Sequence, residues 1–182
     1  IEPNSGGHHA IYLRWLVLEA IERGYHPYIA TFENSLNHPI FAKMKEELKS
    51  KLFFIAIPNI RLNNVHRLWK TRYLIQREFR YYRLFRAVYQ RVKKIFEPDY
   101  VFLPYLDYCS HLIGIFGSPF QGRPWSGILM RQQFHLNNMG IIGPRSLQFP
   151  IKKNLFFLLM HNRSLKMLFT IDKTLLKYIG MT

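Results

Sequence analysis

Ser5-Gly6-Gly7-His8-His9-Ala10-Ile11-Tyr12-Leu13-Arg14-Trp15-Leu16 is the stretch whose reading decides the fold. Paired glycines lack Cβ atoms, so their backbone reaches conformations closed to other residues and lets a ligand approach closely. Ile11, Leu13, Leu16, Val17, Ala20 and Ile21 then follow at mostly helical spacing, until Gly24 ends the pattern. The glycines therefore stand at a helix amino terminus. Free N–H groups and the helix dipole there favour an anion such as a phosphate. The plainer alternative is a tight strand-to-helix turn with no ligand at all.

Working outward, Ile1-Glu2-Pro3 reads as the stump of a strand entering that turn. Short apolar runs then alternate with helical stretches. Strands are expected at 27–32, 52–57, 99–103, 127–131 and 167–171. Helices are expected at 37–49, 65–96, 108–116, 150–160 and 173–179. Asn37 caps the helix that His38-Pro39 begins. Strand–helix alternation predicts an α/β fold: a Rossmann-like parallel sheet with helices on both faces, formed by residues 1–182 as a single domain. Such sheets bind ligands at the carboxyl ends of their strands, the edge at which the glycine turn lies. Arg131 and His135 follow the strand at 127–131. Asp107 and His111 follow the strand at 99–103 and are candidates to orient a bound hydroxyl, with an ordinary helix position as the plainer reading of His111.

The chain has 182 residues, 48% of them hydrophobic, enough for a folded core. Its formal net charge of +15 demands an anionic partner, whether nucleic acid, an anionic membrane surface or a phosphorylated substrate. One cysteine, Cys109, excludes an internal disulfide and a thiolate zinc cluster, and fits a reducing, cytoplasmic compartment. No carboxylate or thiolate cluster stands at ligand spacing beside His8 and His9, so no metal is expected. There is no signal peptide and no apolar run long enough to span a bilayer.

Several segments together resemble the amino-terminal domain of GT-B glycosyltransferases, of the retaining family-4 type. They are Ser5-Gly6-Gly7-His8-His9 with Tyr12-Leu13, then Glu19-Ala20-Ile21-Glu22-Arg23-Gly24-Tyr25, Glu97-Pro98-Asp99-Tyr100-Val101, and Leu168-Phe169-Thr170-Ile171-Asp172-Lys173-Thr174-Leu175. The resemblance spreads over nearly the whole chain. It implies one half of a GT-B fold, the acceptor-binding half of a hexosyltransferase-type enzyme. The donor-binding domain is absent from this chain, which is expected to be inactive alone. No covalently bound cofactor is implied; the nucleotide-sugar is a substrate. Gly6 and Gly7, with His8 and His9, match the turn that faces the donor diphosphate. Family members place a histidine just after the fifth strand. Here Arg131 or Gln132 stands at that point and His135 comes a few residues later, so Arg131 and His135 are the catalytic candidates.

Between Arg61 and Lys94 basic residues recur, and Glu78 is the only acid. Leu68, Ile75, Phe79, Tyr82, Phe85, Val88, Val92 and Phe96 form the expected apolar stripe of this helix. Arg77, Arg80, Arg83 and Arg86, flanked by Trp69, Tyr73, Tyr81 and Tyr89, suit an anionic bilayer interface. A plain core-packing helix with a solvated basic face is the bland alternative. The expectation is thus a transferase half, peripheral to the membrane, acting on a lipid-linked or glycan acceptor. The alternatives are a basic nucleic-acid-binding module and a non-catalytic scaffold on the same fold. No RNA-binding motif supports the former.

Overall fold

The computed structural model describes residues 1–3, 6, 9–58, 70–130, 134–138 and 148–180. The chain divides into two compact units, Ile1–Leu62 and Asn63–Thr182. Seven α-helices and two parallel sheets are present among the described residues. The α/β class with parallel strands is as the sequence predicts, and it is compatible with a Rossmann-like fold.

In the first unit, helix α1 covers His9–Glu22, strand β1 Tyr28–Phe32, helix α2 Pro39–Leu48 and strand β2 Phe53–Ile57. β1 and β2 pair in parallel, from Tyr28 opposite Phe53 to Phe32 opposite Ile57. Residues 1–3 run alongside β1 in the same direction: the Glu2 N–H donates to the Ala30 carbonyl, and the Phe32 N–H donates to that of Pro3. α1 turns Ala10, Leu13 and Val17 inward, and they pack with Ile29, Phe41, Met44 and Leu52. The helix ends in a Schellman closure. Tyr25 N–H reaches back to the Ala20 carbonyl and Gly24 N–H to that of Ile21, with Gly24 at φ 81°. α2 starts one residue later than Asn37 capping would require. His38 is the N-cap, its Nδ1 accepting from the Ile40 N–H at 3.3 Å, with Pro39 in the first turn. Asn37 belongs instead to the 3₁₀ turn Glu33–Asn37.

The second unit holds α3 (Lys70–Lys93), β3 (Val101–Leu103), α4 (Ser110–Phe116), β4 (Trp125–Leu129), α5 (Phe134–Asn138), α6 (Gln148–Met160), β5 (Leu165–Thr170) and α7 (Lys173–Ile179). The sheet order is β3-β4-β5, all parallel. β4 begins at Trp125, two residues before the expected start, because Trp125 and Ser126 are buried and pair with Val101 and Phe102. Phe120 stacks edge-on against both Tyr89 and Trp125, and all three rings are buried. α4 lies so close to α6 that a Cβ on Gly114 would come 2.5 Å from the Leu155 carbonyl oxygen. Cys109 is fully buried just before α4.

α3 buries the expected Phe85, Val88 and Val92, but the stripe is rotated from the one read in the sequence. Glu78, Tyr81 and Tyr89 join them in the core, whereas Ile75 and Phe79 are exposed. Tyr81, expected at a membrane interface, instead stacks on Tyr108 at 4.3 Å between ring centres, and Tyr89 is likewise a core residue.

Two substitutions test these backbone constraints. Gly24→Ala forces a Cβ onto a left-handed residue and is expected to cost about 1 kcal/mol in chemical denaturation. Gly114→Ala drives a Cβ into a backbone carbonyl that cannot rotate away, and is expected to cost about 1–3 kcal/mol.

Candidate functional site

Parallel strands deliver their carboxyl ends to one edge of a sheet, and that edge is where the chemistry-bearing residues gather. In the first unit, Gly6 follows the strand-like segment 1–3 and leads into α1. Its carbonyl accepts from the His9 N–H at 3.3 Å. The Pro3 carbonyl just before it is held by the Thr31 and Ser35 hydroxyls. Among the described residues, a Cβ placed on Gly6 would meet nothing within 4 Å. His9 is mostly buried and sets its Nδ1 3.2 Å from the Glu2 Oε1; the Glu2 side chain is fully buried. Gly7 and His8 lie outside the described residues.

In the second unit, three connections meet at the edge of the sheet. Asp107, in the 3₁₀ turn after β3, accepts the Met130 N–H on its Oδ2 at 2.9 Å. It thereby ties the chain leaving β3 to the chain leaving β4. His135 sits on α5 beyond β4, fully buried. Its Nε2 lies 2.8 Å from the Thr174 Oγ1 and 3.0 Å from the Asp172 Oδ2. Asp172 follows β5 and caps α7, its Oδ1 accepting from the Thr174 N–H, the Leu175 N–H and the Thr174 hydroxyl.

Protonation follows from these contacts. Burial pushes the His135 pKa below the ordinary histidine value, and the Asp172 carboxylate offsets only part of that. Burial would raise the Asp172 carboxyl, but the bonds from Thr174 and Leu175 and the nearby imidazole hold it below its usual range. The stable arrangement is a neutral imidazole whose Nε2–H donates to a carboxylate. The Nδ1 then carries a lone pair, and it is buried with no hydrogen-bond partner among the described residues. A carboxylate-oriented imidazole of this kind is able to hold a proton or anchor a backbone segment.

The sequence-predicted residues fare unequally. Asp107 and His135 share the carboxyl edge of one sheet. His111 has another partner: its Nδ1 meets the Glu78 Oε1 at 2.5 Å, joining α4 to α3. Arg131 and Trp69 lie outside the described residues. Asp172, Thr174, Glu2 and Glu78 were missed as site neighbours. Asp172 is the one with a local signal, an Asp placed directly before an apolar helical run. Comparison of the chain with family models, with curated proteins and with solved structures finds no match.

The His135–Asp172 pair predicts an acid-labile fold. A histidine with a depressed folded pKa binds its proton more readily in the unfolded chain, so stability is full above its ordinary value of 6.5 and falls as pH drops through the folded pKa. The Asp172 contribution is lost later, below its own ordinary value of 3.8. Denaturation midpoints across pH should show the first phase in the native chain and a smaller one in His135→Gln. Asp172→Ala is expected to cost about 1–2 kcal/mol by removing the α7 cap.

Proposed function

We propose that the chain is the acceptor-binding half of a retaining, family-4-like GT-B glycosyltransferase. It works at a membrane surface and serves the transfer of a sugar from a nucleotide-sugar to a lipid-linked or glycan acceptor. The observation that carries this reading is the Gly6 turn, which follows the first strand-like segment at the carboxyl edge of a parallel sheet, opens α1, and has none of the described residues within 4 Å of its Cβ position. That is the setting in which backbone N–H groups at a helix start receive a phosphate. The charge of +15 supports an anionic substrate and surface.

In this reading the donor diphosphate approaches Gly6, and the resemblance assigns Gly7 and His8 to the same contact. His9 is held by Glu2 and steadies the first turn of α1. In the second unit, Asp107 ties the exits of β3 and β4 together. His135 acts as a positioning residue: its imidazole fastens α5 to the cap of α7. Retaining chemistry on one face of the sugar lets the leaving phosphate take the incoming hydroxyl's proton, so no strong protein base is required.

Nucleotide-sugar binding to the chain, followed by NMR titration, tests the reading. Weak binding that perturbs the Gly6 N–H is expected, with no sugar transfer by residues 1–182 alone. Gly6→Val should keep the denaturation midpoint, because its Cβ meets none of the described residues, yet lose binding by at least about tenfold as the approach to the backbone is filled. Unchanged binding would show the turn to be structural only, and robust transfer by this chain would overturn the half-enzyme assignment.

A further inference from the structure

α3 carries two lengthwise faces. The inner one is the buried stripe already described. The outer one has an unusual order along the axis. Ile75 and Phe79 come first, 56% and 44% exposed; Tyr82 follows, half-buried; then Arg83, Arg86 and Lys93, all exposed. These positions recur at helical spacing and therefore share one side of the helix. α4 extends the apolar end sideways with Ile115 and Phe116, 52% and 56% exposed. The Phe116 ring packs edge-on against Phe79 at 5.8 Å, and its carbonyl accepts from the Tyr82 hydroxyl. Burial raises the Tyr82 phenol above its ordinary value, and the positive charge of Arg86 pulls against that rise. The aromatic end and the cationic end are thus contiguous.

We infer that Phe79, Phe116, Ile75 and Ile115, with Arg83 and Arg86 beside them, form the surface by which this chain docks on an anionic lipid bilayer. The inference rests on the membrane-surface part of the proposed function and gives it an address. Charge complementarity names the partner. The only acid of α3, Glu78, is turned inward onto His111, so the outer face presents one sign of charge. The exposed Phe79 and Phe116 rings touch, and exposed Ile75 and Ile115 lie on the same two helices, so the patch is not scattered exposure. Their segregation favours lipid over RNA. Stacking on bases uses aromatics interleaved with cations, whereas isoleucine has no ring to stack. Acyl chains accept isoleucine and phenylalanine equally, and the arginines reach the anionic headgroups with their apolar stems still covered.

The test uses the full chain and vesicles of phosphatidylcholine, with and without phosphatidylglycerol. Flotation with the anionic vesicles alone is expected. Arg83→Glu with Arg86→Glu should weaken it by roughly thirtyfold, two headgroup contacts being lost. Phe79→Ser with Phe116→Ser should weaken it by at least about tenfold, with a denaturation midpoint measured alongside to show that the variant is folded at the assay temperature. A Phe116→Trp variant should gain quenching by brominated acyl chains over the native protein. The proposal falls if the double serine variant floats like the native chain, or if the introduced indole is not quenched. It also falls if these substitutions abolish self-association or an RNA gel shift while vesicle binding is absent. Nucleotide-sugar titration without vesicles separates the two readings. Donor binding without flotation overturns this surface alone, and flotation without donor binding overturns the transferase assignment alone.

Discussion

Parallel pairing forbids a strand from turning straight back onto its neighbour. Each connection must cross over the sheet and re-enter at the starting edge, usually through a helix. That constraint organises both units of this chain. It explains why α2 lies between β1 and β2, and why helices separate β3, β4 and β5. It also means that every strand discharges its chain at the same edge. Asp107, Met130, His135 and Asp172 come from distant parts of the sequence and are neighbours because three parallel strands end together.

The edge is held together by polar contacts that are expensive to break singly. Asp172 accepts from two backbone N–H groups and a hydroxyl while also facing an imidazole, so one carboxylate closes a helix end and fixes a buried ring. A buried polar group stripped of its partner costs more than the bond it made. Asp107 does comparable work with one bond, joining two strand exits. The sheet edge is therefore stiff where it is described, as a surface presenting groups to a ligand needs to be.

Elements marked by backbone chemistry were legible in the sequence. Gly24 closes α1 and Pro39 opens α2, each through a local rule that needs no tertiary context. β4 starts two residues before the expected position because the burial of Trp125 and Ser126 is decided by their pairing with β3 and β5, which the local sequence does not show. The face of α3 was misread for a different reason. Aromatic residues occur all round that helix, so hydrophobicity alone does not select a side. The choice is made by His111, which gives Glu78 a partner in the interior, and by Tyr108, which gives Tyr81 a stacking surface. The location of His135 followed from strand order; its partners Asp172 and Thr174 did not, since nothing in the sequence around His135 points to them.

The single thiol has a consequence of its own. Burial pushes the Cys109 pKa well up, with the carboxylates of Glu78 and Asp107 adding to the rise. A protonated sulfur enclosed by the core reacts with nothing while the unit is shut. In a chain with one cysteine, any thiol-directed label must enter during the brief openings of the segment just before α4. The rate of modification then counts those openings. The molecule thus carries a built-in clock for the local breathing of the region that bears His111 and Phe116.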